Sequence, residues 1–144
     1  MNYYFDTSAL IKRYIDEDGS ERVETLFEQA DSICVSFVTK IECISTLRRL
    51  LLEGLLDQSN YTALKAEVVE DFEYFTVVDN TEFIQNLCIQ LIDKHQLKTL
   101  DSIQLACAVE IRNQLDLFVV SDKKLKERCE FEQFEVFDPT NFPL

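Results

Sequence analysis

One histidine, His95, is all the imidazole in these 144 residues, and that scarcity excludes a good deal of chemistry. It rules out a multi-histidine zinc site and leaves any Ser-His-Asp triad hanging on a single residue. His95 falls in Asp93-Lys94-His95-Gln96-Leu97-Lys98, which reads as a helix end, where a histidine complements the negative pole of the helix dipole. Glycine and proline are nearly as scarce: Gly19, Gly54, Pro139 and Pro143 are the whole supply. With so few breakers and no repeat, linker or low-complexity tract, a single helix-rich domain with short connections is expected over residues 1–144. No apolar run approaches the roughly 20 residues that cross a bilayer, so no membrane partner is expected. The start, Met1 to Asp6, lacks the basic region and long apolar stretch of a signal peptide, which makes cytoplasmic residence the expectation. The five cysteines are odd in number, form no C-x-x-C pair and sit mostly in apolar stretches. They read as buried thiols, not as a disulfide framework or a metal site.

Positive charge is also short. The formal net charge is -13, with 14 Lys and Arg against 27 Asp and Glu. Such a balance argues against a nucleic-acid partner, because phosphate binding draws on basic surface. The distribution softens the objection. Most of the basic residues gather in four groups: Lys12 and Arg13; Arg48 and Arg49; Lys94 and Lys98; and Lys123, Lys124, Lys126 and Arg128. Each group stands near an acid singled out below, although solvated helix faces and i,i+4 pairs are the better account of any one of them taken singly.

Apolar periodicity predicts strands at 2–5, 33–35, 75–78, 117–120 and 134–137, with helices at 7–15, 20–30, 39–53, 58–74, 81–95, 99–114 and 122–129. The third helix is expected to turn Ile41, Ile44, Leu47 and Leu51 inward, and the fifth to carry Phe83, Leu87, Leu91 and Ile92. Strands alternating with helices predict an α/β fold with a mainly parallel sheet covered on both faces. In such sheets ligands bind beyond the carboxyl ends of the strands. Asp6 lies directly beyond the first predicted strand, and Asp122 follows the fourth after Ser121.

Each acid has a plain structural explanation. Asp6 and Asp122 suit helix N-caps. Asp101, in a first helical turn, is favoured by the dipole, and Glu42 could be one exposed acid. Two features point further. The helix after Asp101 is apolar nearly all round (Ile103, Leu105, Ala106, Cys107, Ala108, Val109, Ile111), so it is expected to be central, with Asp101 at its mouth. Glu42 falls early in its own helix, beside the Ile41 stripe. Several carboxylates sharing a cleft repel one another unless a cation joins them, and oxygen-only donors point to Mg²⁺ or Mn²⁺. Carboxylates plus such an ion suit phosphodiester hydrolysis.

At these residues the sequence resembles the PIN-domain family, in particular the VapC-type toxins of toxin–antitoxin pairs. Tyr4-Phe5-Asp6-Thr7-Ser8-Ala9-Leu10-Ile11-Lys12 looks like the family's first-strand motif, and Thr39-Lys40-Ile41-Glu42 is similar to its T-x-x-E element. Thr99-Leu100-Asp101-Ser102-Ile103-Gln104-Leu105-Ala106 is similar to the third motif and Val120-Ser121-Asp122-Lys123-Lys124-Leu125 to the fourth, all in the family's order. Gln104 stands where many relatives carry His, a departure expected to bear on substrate contact. The resemblance implies a three-layer α/β/α sandwich and Mg²⁺- or Mn²⁺-dependent hydrolysis of RNA; in-line attack by metal-bound water would then leave 5′-phosphate and 3′-hydroxyl ends. By the same resemblance Asp6 and Asp101 would hold the metal, Asp122 would complete the site, and Glu42 would bind metal or orient water. Thr7, Ser8 and Ser121 would support these ligands by hydrogen bonds. Lys12, Arg13 and Arg49 are candidates for RNA phosphate contacts. A homodimer and a cognate antitoxin are the partners the resemblance implies. Three alternatives stay open: a PIN-type RNA-processing nuclease outside any toxin pair, an inactive PIN-fold binding domain, and a phosphate-receiving signalling domain. For the last, Thr7 and Ser8 stand where a second acid would be wanted.

Overall fold

Along the first strand, β1 (Asn2–Phe5), Tyr3 and Phe5 face one side of the sheet and Tyr4 the other, and this alternation divides the protein into its layers. The structure, a computed structural model, describes residues 1–140; the last four residues of the domain expected over 1–144 lie outside the described residues. Four further strands follow in the chain: β2 (Ser32–Ser36), β3 (Thr76–Val78), β4 (Leu117–Val119) and β5 (Val136–Phe137). They form one sheet in the order β3-β2-β1-β4-β5, with every pairing parallel. Tyr3 stands opposite Ile33 on one side and Leu117 on the other, so β1 is central.

Among the described residues seven helices cover the sheet: α1 (Thr7–Leu10), α2 (Ser20–Gln29), α3 (Thr39–Leu52), α4 (Gln58–Phe72), α5 (Glu82–His95), α6 (Thr99–Glu110) and α7 (Lys123–Phe131). Helices α1 to α4 pack on the Tyr3, Phe5, Ile33, Val35 and Val119 face. Helices α5, α6 and α7 pack on the face of Tyr4, Cys34, Phe118 and Val120. The fold is therefore a three-layer α/β/α sandwich around a parallel sheet. The chain order reverses on either side of β1, which places the crevice between the carboxyl ends of β1 and β4 at a topological switch point.

Helix α6 is central, as its composition predicts: Ser102, Gln104, Leu105, Ala106, Cys107 and Ala108 are all buried, and it packs against α5 and β2. Other expectations need correction. The inner stripe of α3 is Thr39, Cys43 and Leu47, spaced by four. Of the four residues expected inward, Leu47 is fully buried and Ile44 and Leu51 pack against the core, while Ile41 points out, 69% exposed. In α5 the buried residues are Ile84, Cys88, Leu91 and His95, while Phe83 is 61% exposed. The helix expected over 7–15 is α1 followed by a tight 3-10 turn, Ile11–Arg13. There Tyr14 and Arg13 reach across to Asp71 of α4, which fixes where the chain leaves its helical path. The helix expected over 99–114 ends at Glu110, because Arg112 turns away to the Glu132 carbonyl (2.7 Å) and the Phe134 ring. All five cysteines are buried free thiols. Burial pushes Cys43 up to about 12 and Cys107 up to about 11, which keeps them protonated and inert. Among the described residues, no helix is long and apolar enough to cross a membrane.

Candidate active site

Because all five strands run the same way, their carboxyl ends meet at one edge, and helices leaving that edge present their N-termini there. Asp6 follows β1 and caps α1, its Oδ2 accepting from the Ser8 amide at 3.1 Å. Asp122 follows β4 and caps α7, its Oδ1 accepting from the Leu125 amide at 2.8 Å. Glu42 and Asp101 stand in the first turns of α3 and α6. All four acids line one cleft of about 420 Å³, together with Thr7, Ser8, Ile11, Ile15, Glu17, Thr46, Arg49 and Leu50. Asp6 and Asp122 each cap a helix and also line the cleft.

Ser8 binds two of the acid-bearing loops to each other. Its hydroxyl donates to Asp6 Oδ2 at 2.5 Å and accepts from the amides of Ser121 (3.0 Å) and Asp122 (3.2 Å). Thr7 donates to Glu42 Oε1 at 2.8 Å. Ser121 contributes its backbone amide; its own hydroxyl is buried and has no hydrogen-bond partner among the described residues. Asp6, Glu42 and Asp122 thus each use one carboxylate oxygen for anchoring. Their second oxygens, and both of Asp101, make no hydrogen bond among the described residues.

The charges of these acids act on one another across the cleft. Burial pushes the Asp6 carboxyl up to about 7; the Ser8 hydrogen bonds oppose this, and the charges of Glu42 and Asp101 add to it. Asp101 is raised by burial first, then by Asp122 and Glu42, with Lys124 and Lys98 pulling the other way. The cleft is short of positive charge, as expected where anionic groups share a partly dry space. Hard oxygen donors with excess negative charge suit a divalent cation of the Mg²⁺ or Mn²⁺ type. By donor chemistry and uncommitted oxygens the residues fit such an ion. Among the described residues, however, no three His, Cys, Asp or Glu side chains stand as a formed metal-binding group.

The basic candidates separate. Arg49 lines the cleft. Lys12 does not: it is buried, with its ammonium on Glu17 at 2.8 Å. Arg13 lies over the Phe27 ring and pairs with Asp71 (3.0 Å) and Glu24 (3.3 Å). These two cations are occupied with the fold and stand outside the cleft lining. Lys98 and Lys124, by contrast, act on Asp101 from close by. Gln104 is not on the cleft wall where substrate contact was expected of it; it is 1% exposed and bonded beneath Glu42. Its partners Tyr4 and Thr39 were not singled out as site residues. The available signal was a long polar side chain inside an otherwise apolar helix, which has to find partners.

A sequence model of the PIN domain matches residues 3–130. The chain is 26% identical over 140 residues to Ribonuclease VapC47 of Mycobacterium tuberculosis (strain CDC 1551 / Oshkosh), covering 94% of this chain and 96% of that protein. Among solved structures it is similar to a toxin–antitoxin complex from Klebsiella pneumoniae, with a TM-score of 0.69 and 16% identity over 97% of this chain and 99% of that one. It is similar also to Mycobacterium tuberculosis VapC20, described as a sarcin-ricin loop cleaving toxin, with a TM-score of 0.67 and 14% identity over 98% and 99%.

Proposed function

The chain belongs to the PIN-domain family, and from that premise we propose that it is a Mg²⁺- or Mn²⁺-dependent endoribonuclease and the toxin of a toxin–antitoxin pair. The observation that carries this reading is the gathering of Asp6, Glu42, Asp101 and Asp122 in one cleft at the carboxyl edge of the sheet. These four would hold the divalent cation, which when bound supplies water activation and neutralises charge on the phosphoryl group. Ser8 keeps Asp6 and the Asp122 loop in fixed relation, and Thr7 orients Glu42. Arg49, the one Lys or Arg among the described residues lining the cleft, would meet an RNA phosphate.

A polypeptide inhibitor is supported by a second groove, lined by Ile15, Leu50, Leu55, Leu56 and Leu64, which shares Ile15, Glu17 and Leu50 with the acidic cleft. An antitoxin segment seated on those apolar side chains would block the cleft mouth. Pairing of the toxin as a homodimer and residence in the cytoplasm belong to the same reading. The test is cleavage of total cellular RNA with Mg²⁺, with the ends mapped and Asp101→Asn run in parallel. Cuts bearing 5′-phosphate and 3′-hydroxyl ends, lost in the variant, are expected. Intact RNA with the wild-type protein, or equal cleavage by Asp101→Asn, overturns the assignment.

A further inference from the structure

Gln104 lies in the middle of the most buried helix, and a primary amide there has two N–H donors and a carbonyl to satisfy. Its Oε1 accepts from the Tyr4 hydroxyl at 2.7 Å. Its Nε2 faces three oxygens: Glu42 Oε1 at 2.9 Å, Thr39 Oγ1 at 3.0 Å and Thr7 Oγ1 at 3.2 Å. Two hydrogens can serve only two of these. Thr7 Oγ1 is the farthest of the three, so the amide hydrogens belong on Glu42 and Thr39, while Thr7 gives its own hydrogen to Glu42 Oε1.

The direction of this chain of bonds is forced. A carboxylate oxygen can only accept, so the nitrogen of Gln104 has to face Glu42. A flipped amide would set its carbonyl oxygen against the carboxylate. Tyr4 opposes that flip, because its fully buried hydroxyl would lose its acceptor. Glu42 Oε1 is thereby held by two donors, one from α1 and one from α6, while Oε2 has no partner among the described residues.

We propose that Gln104, anchored by Tyr4, is a positioning residue that pins Glu42 through Oε1 and so selects Oε2 as the oxygen offered to the divalent cation. This rests on the nuclease reading above. A residue that merely fills the core would affect melting but not the cation affinity of the folded protein.

The experiment is a double-mutant cycle on Mn²⁺ affinity, read from the free Mn²⁺ resonance with the full chain and paired with RNA cleavage by the wild type. Gln104→Met keeps the volume and removes the amide; it is expected to weaken Mn²⁺ binding about tenfold or more, the effect usual for a residue that orients a ligand. Tyr4→Phe, which removes a hydroxyl bonded to Gln104 and to none of the four acids, is expected to weaken it about threefold, the equivalent of one modest hydrogen bond. In a Glu42→Ala background neither substitution should cost anything further. Wild-type affinity in both single variants, or losses of equal size with and without the Glu42 carboxylate, overturns the proposal. If Gln104→Met does not fold, the Tyr4→Phe and Glu42→Ala cycle decides by the same criterion. A wild-type chain that binds no Mn²⁺ and leaves RNA intact overturns the nuclease reading as well. One that binds and cleaves while the cycle is additive overturns the Gln104 claim alone.

Discussion

A carboxylate at the start of a helix can serve as a cap, as a ligand, or as both, and Asp6 separates these roles by pH. Its pKa in the folded protein, about 7, stands above its ordinary 3.8. Below 3.8 the group is protonated whether the chain is folded or not, and no buried charge has to be carried. As pH rises through 7 the metal-free fold must hold that charge, and it loses up to a few kcal/mol, at roughly 1.4 kcal/mol for every tenfold weakening of the acid. Asn preserves the cap and cannot ionise. Thermal melts of the metal-free proteins should therefore show Asp6→Asn gaining on the wild type between acid conditions and mildly alkaline ones, while its Mg²⁺-dependent cleavage is abolished. Melting curves that keep the same separation across that range would mean that Asp6 is not strained by its charge. Arg49 makes a different prediction. If it meets a phosphate, Arg49→Ala should raise KM with little change in kcat and lower the salt slope of RNA binding by about one. An unchanged salt slope would return Arg49 to the solvated face of α3.

At the scale of the element, helical period found most of each buried face, with Leu47 and Leu91 in the core, but it also drew in Ile41 and Phe83, which are exposed. Helix α3 has apolar residues on more than one side, and Ile41 stands off the buried stripe of Thr39, Cys43 and Leu47. That stripe faces inward because Thr39 and Cys43 are small enough to lie close to α1 and β2, both of which α3 contacts. In α6 there was no competition: with nearly every side apolar, the only stable place is the interior. Leu105→Ala should accordingly cost about 2–5 kcal/mol in urea unfolding. Leu52→Ala, at a position 74% exposed, should stay within about 0.5 kcal/mol. Similar losses at the two sites would contradict the placement of α6 at the centre.

For the molecule as a whole, the net charge of -13 is compatible with an RNA partner only if the acids in the cleft are neutralised where contact occurs. A cation that binds the folded state and not the unfolded chain stabilises by mass action, about 2.7 kcal/mol at a hundredfold excess over Kd. Addition of Mg²⁺ under mildly alkaline conditions should raise the melting temperature of the wild type by several degrees, and EDTA should reverse it. The double variant with Asp6→Asn and Asp101→Asn should not respond. A response of equal size in that variant would place the ion elsewhere on this acidic surface.

The alternation of strand and helix, the parallel sheet and the central place of α6 were legible in the residues themselves, because side-chain period and burial are local properties that each segment carries. The order of the four acidic motifs was legible too, and with Asp6 and Asp122 just past strand ends it pointed to the carboxyl edge. What the sequence could not decide was which groups were already engaged. Lys12 and Arg13 look free when charges are read along the chain, yet Glu17, Asp71 and Glu24 hold them. Gln104 looks like a residue for substrate, yet it is bonded to Tyr4, Thr39 and Glu42 far along the chain. Hydrogen bonds and ion pairs between distant segments depend on the approach of whole layers, so only the packed tertiary structure assigns them.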